Sequence, residues 1–223
     1  MIGMDQIDAD TLSDQDVQGF FDRANSLDTL TATRRLYGDW AAVYDDTIER
    51  FGRYLSPDWF ACEVARRCAD RHVPVLDLAC GTGLVGAALA RHGFDRLTGL
   101  DLSPEMLDRA REKGCYRALI AGDVGGNWPV ERGQFGVILC IGALTVGHMD
   151  VTVLRRMIEA LGPGGLVLAD IEASTFAGQE YVAVLEALRS EVGLAEVTVQ
   201  DAHFYAPGPK EPFHGFYVVV RRG

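Results

Sequence analysis

The sequence has 223 residues, of which 48% are apolar, and its 21 Lys and Arg against 32 Asp and Glu give a net charge of −11. This length and apolar content predict one folded domain over residues 1–223. Nucleic-acid binding depends on Lys and Arg that neutralise phosphates, and the sequence shows no basic stripe, so nucleic acid is disfavoured as a partner.

The five cysteines are scattered and include no Cys-x-x-Cys pair, which argues against a disulfide framework and against a structural zinc site. The N-terminal residues lack the basic and apolar regions of a signal peptide, and the longest apolar stretch, residues 135–146, is too short to span a bilayer. These features predict a cytoplasmic protein with no bound metal and no membrane association, and we expect it to be a monomer or a homodimer.

The N-terminal part of the chain is predicted to be helical. Residues 1–28 contain seven Asp and one Arg, and we expect them to form a solvated or partly helical acidic arm. Apolar residues then recur at helical spacing over residues 36–55 and 57–70, with Pro57 where the first turn of a helix tolerates it. Tyr37, Trp40 and Tyr44 are three and four residues apart, so they share a face that packs on the core or closes over a ligand.

From residue 73 onward, strand-like and helical patterns alternate. The predicted strands are residues 73–79, 96–102, 116–121, 135–141, 165–171, 196–204 and 213–220. The predicted helices are residues 84–91, 104–112, 151–161 and 176–192. Such alternation is typical of parallel strands joined by right-handed crossovers in an α/β sandwich. Only residues 206–212 separate the last two strands, which is too short for a crossover helix, so the final strand should be antiparallel.

The first predicted strand ends in a glycine-rich turn, the part of an open parallel sheet that ligands usually contact. Gly81, Gly83 and Gly86 match the Gly-x-Gly-x-x-Gly pattern of dinucleotide-binding proteins. Asp101 and Asp123 end the next two strands, where Asp101 can accept both hydroxyl protons of a ribose and Asp123 can bind the amino edge of adenine. NAD and other adenosine cofactors both fit these carboxylates.

Asp77 distinguishes between the two classes of cofactor. It lies in the first strand near the turn over which NAD would place its pyrophosphate, and a carboxylate there would repel the phosphates. The same carboxylate would attract the ammonium group of an amino-acid tail. S-adenosylmethionine joins adenosine to an amino acid through a cationic sulfur, so the sequence favours it. An NAD-dependent oxidoreductase is the alternative.

Five stretches resemble, in order and spacing, the motifs of class I S-adenosylmethionine-dependent methyltransferases. They are VLDLACGTG, LTGLDLSPEMLDRARE, AGDV, FGVILCIGAL and LGPGGLVLAD. The resemblance covers about residues 35–223 and implies an α/β fold, a Rossmann-like three-layer sandwich over residues 73–223. Its seven-stranded, mostly parallel sheet would have an antiparallel last strand, and a helical lid would precede it over residues 29–72. Gly136 departs from the pattern, since these proteins often have Asp there.

The stretch YGDWAAVYDD resembles the lid of small-molecule members, with a weaker likeness to the Williams-Beuren region methyltransferase-like proteins. The resemblance also implies cofactor contacts, which group by the part of S-adenosylmethionine they would meet. They are Asp77, Ala79, Gly81 and Gly83 at the methionine tail, Asp101 and Leu102 at the ribose, Asp123, Val124 and Met106 at adenine, and Cys140 and Ile141 beside the sulfonium. Tyr44 of the lid is a further predicted contact. Alternatively, Met106 and Ile141 are core residues and Asp123 forms a turn.

Methyl transfer is an in-line displacement that leaves S-adenosylhomocysteine, and it needs a base only if the acceptor must lose a proton. The first candidate for this catalytic role is His148, in a loop beyond the fourth strand, and His214 is the second. For His148 the alternative is a loop or helix-start role. The fourth strand is not followed by the Asn-Pro-Pro-aromatic or Asp-Pro-Pro-aromatic run of enzymes that methylate amino groups of nucleic acids, nor is there a Pro-Cys nucleophile for cytosine C5. Together with the acidic charge, this predicts a small-molecule acceptor, with a protein side chain next. A protein that binds the cofactor without turnover is the remaining alternative.

Overall fold

The computed structural model describes residues 13–24, 27, 29–51, 54–126, 130–145, 151–178, 180–206 and 214–223. In these ranges the strands are β1 (Val75–Leu78), β2 (Leu97–Asp101), β3 (Tyr116–Ala121), β4 (Phe135–Leu144), β5 (Leu161–Glu172), β6 (Leu194–His203) and β7 (His214–Arg222). The α-helices are α1 (Asp14–Ala24), α2 (Leu30–Trp40), α3 (Tyr44–Phe51), α4 (Ser56–Arg67), α5 (Leu84–Arg91), α6 (Pro104–Glu112), α7 (Val151–Ala160), α8 (Ala173–Gly178) and α9 (Tyr181–Val192). A 3₁₀ turn, Ala41–Val43, connects α2 to α3.

The described strands form one seven-stranded sheet in the order β3-β2-β1-β4-β5-β7-β6. Strands β1 to β5 pair parallel to one another, and β7 runs antiparallel to both β5 and β6. The predicted mostly parallel sheet with an antiparallel last strand is therefore confirmed. The chain moves outward from β1 to β3 and then returns to place β4 on the other side of β1, which opens a crevice beyond their carboxyl ends.

Helices cover both faces of the sheet. One apolar cluster joins Val75 of β1 to Phe60 of α4, and a second joins Leu76 of the same strand to Leu154 of α7. Consecutive residues of a strand point to opposite faces, which is why these two neighbours belong to different clusters. The predicted three-layer sandwich is therefore the observed architecture.

Two predicted helices are interrupted. The helix predicted over residues 36–55 begins earlier as α2, because the Thr29 hydroxyl accepts the N–H of Ala32 at 3.2 Å and caps the first turn. It then gives way to the 3₁₀ turn after Trp40. The helix predicted over residues 176–192 divides into α8 and α9, with Glu180 between them at a φ of +52°. Both breaks fall inside patterns whose apolar spacing does not reveal them.

Helix α1 lies within the acidic arm and has a buried aromatic face. Phe20 stacks on Trp40 with ring centroids 4.9 Å apart, and Phe21 meets the same indole edge-on at 5.4 Å. Both phenylalanines are buried, whereas Asp16 and Asp22 on the same helix are exposed. The helical part of the arm is therefore packed against α2 rather than solvated on all sides.

None of the helices in the described ranges has both the length and the apolarity that a membrane span requires. The same ranges contain no group of three or more His, Cys, Asp or Glu that could hold a metal ion. All five cysteines are free thiols, and Cys80 and Cys140 are buried.

Replacing Phe20 by Ala tests the packing of α1. The ring is 2% exposed and stacked on Trp40, so we expect the free energy of unfolding to fall by about 3 kcal/mol or more in urea titrations. The control Val182→Ala alters a side chain that is 53% exposed and should change stability by less than about 0.5 kcal/mol. Equally small losses in the two variants would show that α1 is not part of the folded core.

Candidate functional site

The crevice beyond the carboxyl ends of β1, β2 and β4 is an open cleft of about 980 Å³. It lies where strand order reverses, the usual ligand site of an open α/β sheet. Most predicted cofactor contacts line it, namely Tyr44, Ala79, Gly81, Asp101, Leu102, Met106, Asp123, Val124 and Ile141. The other three, Asp77, Gly83 and Cys140, are not among the residues that line it.

The turn between β1 and α5 lines the cleft, and three of its residues have left-handed backbone conformations. Ala79, Gly81 and Gly83 have left-handed φ angles of +54°, +52° and +86°. A Cβ atom on Gly81 would meet no atom within 4 Å, so the space beside this residue is open. The N–H of Gly81 donates to the Asp101 carboxylate at 2.8 Å, and the N–H of Gly83 donates to the Cys80 carbonyl at 2.9 Å. Both N–H groups are therefore already engaged inside the protein.

Asp101 connects this turn to the start of α6. One carboxylate oxygen accepts the N–H of Gly81 at 2.8 Å, and the other accepts the N–H of Ser103 at 2.9 Å. Burial raises the pKa of Asp101, and these backbone donors lower it. Each carboxylate oxygen has a further lone pair that can accept a hydrogen bond from a ligand.

Asp77 has a tyrosine as its partner. The side chain is 1% exposed, and its carboxylate accepts a hydrogen bond from the Tyr116 hydroxyl at 2.6 Å. Burial raises the pKa of Asp77 to about 7, against the lowering effect of the Tyr116 hydrogen bond and with a smaller rise from the Asp101 charge. Direct contact between Asp77 and the tail of a ligand stays a prediction.

Three glycines make room for the Tyr116 ring. A Cβ atom on Gly83 would lie 2.9 Å from this ring, one on Gly86 would lie 2.3 Å from it, and one on Gly99 would lie 3.1 Å from it. Real Cβ atoms essentially never approach another atom within 3.0 Å, so the ring leaves no room for a Cβ atom at Gly83 or Gly86, and at Gly99 the contact would be tight. The second and third glycines of the Gly-x-Gly-x-x-Gly pattern are therefore required here by an aromatic side chain of β3.

Asp45, at the start of α3, joins the N-terminal helices to the cleft. Its carboxylate accepts a hydrogen bond from the Thr82 hydroxyl of the glycine turn at 2.5 Å and forms an ion pair with Lys113 at 2.6 Å. Tyr37 and Tyr44 line the cleft from the same helices, and burial, followed by the Asp101 charge, raises the pKa of Tyr37 to about 12. These residues hold α2 and α3 beside the cleft.

The two interpretations of Asp123 are compatible. Its carboxylate accepts the N–H of Gly125 at 2.8 Å, as a turn-forming Asp does, and the residue also lines the cleft. Met106 and Ile141 are likewise both buried, at 1% and 8% exposure, and part of the cleft lining.

A second space adjoins the cleft, here called the second chamber; it is open to solvent, and its volume of about 640 Å³ includes solvent-filled space. Four residues line both spaces, namely Tyr37, Tyr44, Tyr54 and Gly142. The rest of the second chamber is mostly aromatic and acidic, and it includes Phe21, Trp40, Asp170, Glu172, Phe204 and Tyr205.

Gly142 shapes the boundary between the two spaces. The register of β4 against β5 shifts between Cys140 and Leu144, and Gly142 in this irregularity has a φ of +73°. Its N–H donates to the Asp170 carboxylate at 2.5 Å, and a Cβ atom at this position would lie 2.7 Å from the Tyr54 hydroxyl oxygen. Glycine is therefore required both by the backbone conformation and by the close tyrosine.

Four residues of these two spaces were not predicted from the sequence, namely Tyr54, Thr82, Gly142 and Asp170. Asp170 ends a predicted strand, so the rule that identified Asp101 and Asp123 would have found it as well. A glycine inside a strand pattern, such as Gly142, is a signal of a bulge or of a close approach. Nothing local marks Tyr54 or Thr82, because their partners are distant in the sequence.

The candidate base His148 lies outside the described residues. The second candidate, His214, begins β7 and contacts the Asp201 carboxylate through Nε2 at 2.9 Å. It lines neither the cleft nor the second chamber. The role of His148 stays a prediction.

Residues 75–165 match the family model described as "Methyltransferase domain". Methyltransferase-like protein 27 of Homo sapiens is 31% identical over 172 residues, which cover 74% of this chain and 67% of that protein. The 18S rRNA (guanine-N(7))-methyltransferase of Bos taurus is 39% identical over 75 residues, which cover 34% of this chain and 26% of that protein. A solved DhpI–SAH complex has a TM-score of 0.60 at 19% identity and covers 88% of this chain and 98% of its own. This chain thus spans two thirds of the human relative and about a quarter of the bovine one.

Asp77→Asn should show how much ionisation of the buried Asp77 carboxyl destabilises the folded protein. A carboxyl with a pKa of about 7 in the folded state binds its proton more tightly than the unfolded chain does, so the wild-type protein loses stability as pH rises from about 4 to about 7. The variant has no such loss. Its free energy of unfolding relative to wild type should therefore increase by roughly 2–4 kcal/mol between about pH 4.5 and about pH 8 in urea titrations.

The control for this measurement is Asp108→Asn, which changes a side chain that is 70% exposed on α6. It should show no comparable pH-dependent difference from wild type. If the Asp77→Asn difference stayed constant across the pH range, Asp77 would be as easily ionised in the folded protein as in the unfolded chain.

Proposed function

The chain belongs to the class I S-adenosylmethionine-dependent methyltransferases, and we propose that it methylates a small molecule. Membership of this family confirms the predicted enzyme class and the predicted cofactor, S-adenosylmethionine. The second chamber supports a small-molecule acceptor. It adjoins the cofactor cleft and is lined by buried aromatic side chains of the N-terminal helices. Such a concave, largely apolar space is typical of a site for a small molecule.

The described cleft residues fit S-adenosylmethionine. The N–H groups of Gly81 and Gly83 are engaged by Asp101 and Cys80, so neither is free to bind a pyrophosphate. Two acidic side chains, Asp101 and Asp123, line the cleft against one basic side chain, Arg34, and this balance favours a cationic ligand. These features support S-adenosylmethionine over NAD.

Each contact with the cofactor is a proposal drawn from position. Asp101 and Leu102 would hold the ribose, Asp123, Val124 and Met106 the adenine, Ala79 and Gly81 the methionine tail, and Tyr44 and Ile141 the region of the sulfonium. Asp77 and Gly83 do not line the cleft, so their proposed contribution is indirect. Asp77 would hold Tyr116 through its hydrogen bond, and Gly83 would leave space for the Tyr116 ring and shape the turn. Cys140 is fully buried in the apolar cluster with Leu78, which supports a packing role behind the cleft.

Bound S-adenosylmethionine supplies a methyl group on a cationic sulfur that a lone pair of the acceptor displaces in line. The contribution of the protein is to align the acceptor and to exclude water. Tyr37, Tyr44 and Tyr54 line both spaces, so they are suited to positioning an acceptor next to the cleft. His148 is retained as the proposed base for an acceptor that must lose a proton.

The net charge of −11 supports a small molecule over RNA, because RNA binding requires basic side chains that neutralise phosphates. The bovine relative is named for a guanine of 18S rRNA, and its similarity covers 34% of this chain. We also propose a cytoplasmic location. All five cysteines are free thiols, which is typical of proteins in a reducing compartment.

Asp101→Asn tests the cofactor site. Loss of the carboxylate removes hydrogen bonds to a charged group, each worth about 1.5–3 kcal/mol, so we expect affinity for S-adenosylhomocysteine to fall roughly 10- to 150-fold in isothermal titration calorimetry. Asp108→Asn on the exposed side of α6 should bind as wild type does. NAD should not bind to any of these proteins. Unchanged affinity in Asp101→Asn would contradict the proposed ribose contact.

The class of acceptor can be tested with S-adenosylmethionine that carries a tritiated methyl group. The purified protein is incubated separately with the small-molecule, RNA and protein fractions of a cell extract, and the label in each fraction is counted. We expect label in the small-molecule fraction and a loss of it with Asp101→Asn. Label in RNA or protein alone would overturn the proposal of a small-molecule acceptor.

A further inference from the structure

Asp170, in β5, is a buried carboxylate in the wall of the second chamber. It is 2% exposed, and its oxygens accept the N–H of Gly142 at 2.5 Å and the hydroxyl of Tyr54 at 3.5 Å. Burial raises the pKa of Asp170 to about 6, so most of the carboxyl is ionised at neutral pH. The Ser56 hydroxyl also hydrogen-bonds to this carboxylate, none of the three donors carries a charge, and no Lys, Arg or His in the described part of the chain forms an ion pair with Asp170. A buried carboxylate without a cation is costly, and a positively charged ligand would offset that cost.

A second carboxylate, Glu172, lines the same chamber. It accepts the backbone N–H of Ser174 at 3.0 Å and that of Thr175 at 3.1 Å. Burial opposes its ionisation, but these hydrogen bonds together with those from the two hydroxyls outweigh burial and hold the pKa of Glu172 below its usual value. Among the described residues that line the chamber there is no basic side chain. The chamber is therefore unfavourable for carboxylates and phosphates and favourable for a cation.

The aromatic walls suit a cation as well. Tyr54 and Tyr205 stack with ring centroids 5.0 Å apart, and burial raises the pKa of both, so their hydroxyls remain neutral. Aromatic faces attract ammonium groups, most strongly where water is excluded. Trp40 adds a further aromatic ring to the wall of the chamber.

From these contacts we propose that the methyl acceptor is a small amine, which enters the second chamber as its ammonium ion and places its nitrogen beside Asp170. This inference rests on the proposed function and names the class of its acceptor. The ammonium transfers one proton to the Asp170 carboxylate, which frees the lone pair of the nitrogen. That lone pair forms the new nitrogen–carbon bond while the carbon–sulfur bond breaks and its electron pair stays on sulfur. The proton on Asp170 leaves to solvent, and the products are the N-methylammonium ion and the neutral thioether.

The first experiment compares three probes of similar shape on the wild-type full chain saturated with S-adenosylhomocysteine. They are 2-phenylethylamine, 2-phenylethanol and 3-phenylpropionate, which differ in the charge of the head group. We expect calorimetry to show the amine binding at least about 10-fold more tightly than the alcohol, and the carboxylate not binding, because a charged hydrogen bond is worth about 1.5 kcal/mol or more. Absence of amine binding, or alcohol or carboxylate binding that is as tight, overturns the inference.

The second experiment measures the same probes on Asp170→Asn, which keeps the shape of the side chain and removes its charge. Amine affinity should fall about 10-fold or more while alcohol affinity stays the same. The matched control is Asp201→Asn on β6, which β7 separates from β5; the Asp201 side chain is 69% exposed and pairs with His214. It should bind the amine as wild type does. Unchanged amine affinity in Asp170→Asn would overturn the role of Asp170.

Binding of S-adenosylhomocysteine separates the two proposals. If wild type does not bind S-adenosylhomocysteine, the proposed function fails. If it binds S-adenosylhomocysteine but shows no preference for the amine, only the amine inference fails. The probe series on wild type stands without any variant, so a folding defect in Asp170→Asn leaves the test intact.

Discussion

Three buried carboxylates near the carboxyl edge of the sheet are the central constraint on this structure. Asp77, Asp101 and Asp170 belong to β1, β2 and β5, and burial raises the pKa of each. Tyrosine hydroxyls and backbone N–H groups stabilise them, but no basic side chain in the described ranges forms an ion pair with any of the three. Part of their charge is therefore left for a ligand to balance. A cofactor with a sulfonium and an ammonium group is suited to that task.

Helices α1, α2 and α3 pack beside this edge of the sheet and form part of the site. Phe20 and Phe21 of α1 pack on Trp40, and Trp40 lines the second chamber. Asp45 then attaches α3 to the glycine turn through Thr82. The acidic arm is thus part of the support for the chamber, because its buried face determines where the indole lies. A segment that composition alone describes as charged and solvated contributes to the shape of the site.

Much of the fold could be predicted from sequence because its signals are local. The strand predicted over residues 116–121 coincides with β3, and the short connection before the last strand correctly indicated an antiparallel pair. Asp101 and Gly81 were found because strand ends and glycine turns are visible in sequence. The partners of Asp77 and Asp45 were not found, since Tyr116 and Thr82 lie 39 and 37 positions away along the chain. Only the packed sheet brings such residues together.

The Tyr116 ring makes Gly83, Gly86 and Gly99 interdependent. Gly83 and Gly86 leave space for this ring, so an alanine at either of them requires a smaller residue at position 116. Gly83 also has a left-handed φ of +86°, and a Cβ atom on Gly99 would in addition lie 2.8 Å from Cys80 Sγ and Leu119 Cδ2. A smaller residue at position 116 would in turn deprive the Asp77 carboxylate of its hydroxyl donor. Substitutions at these positions should therefore be strongly non-additive. During divergence of related sequences, they are expected to change as a set or to stay as they are.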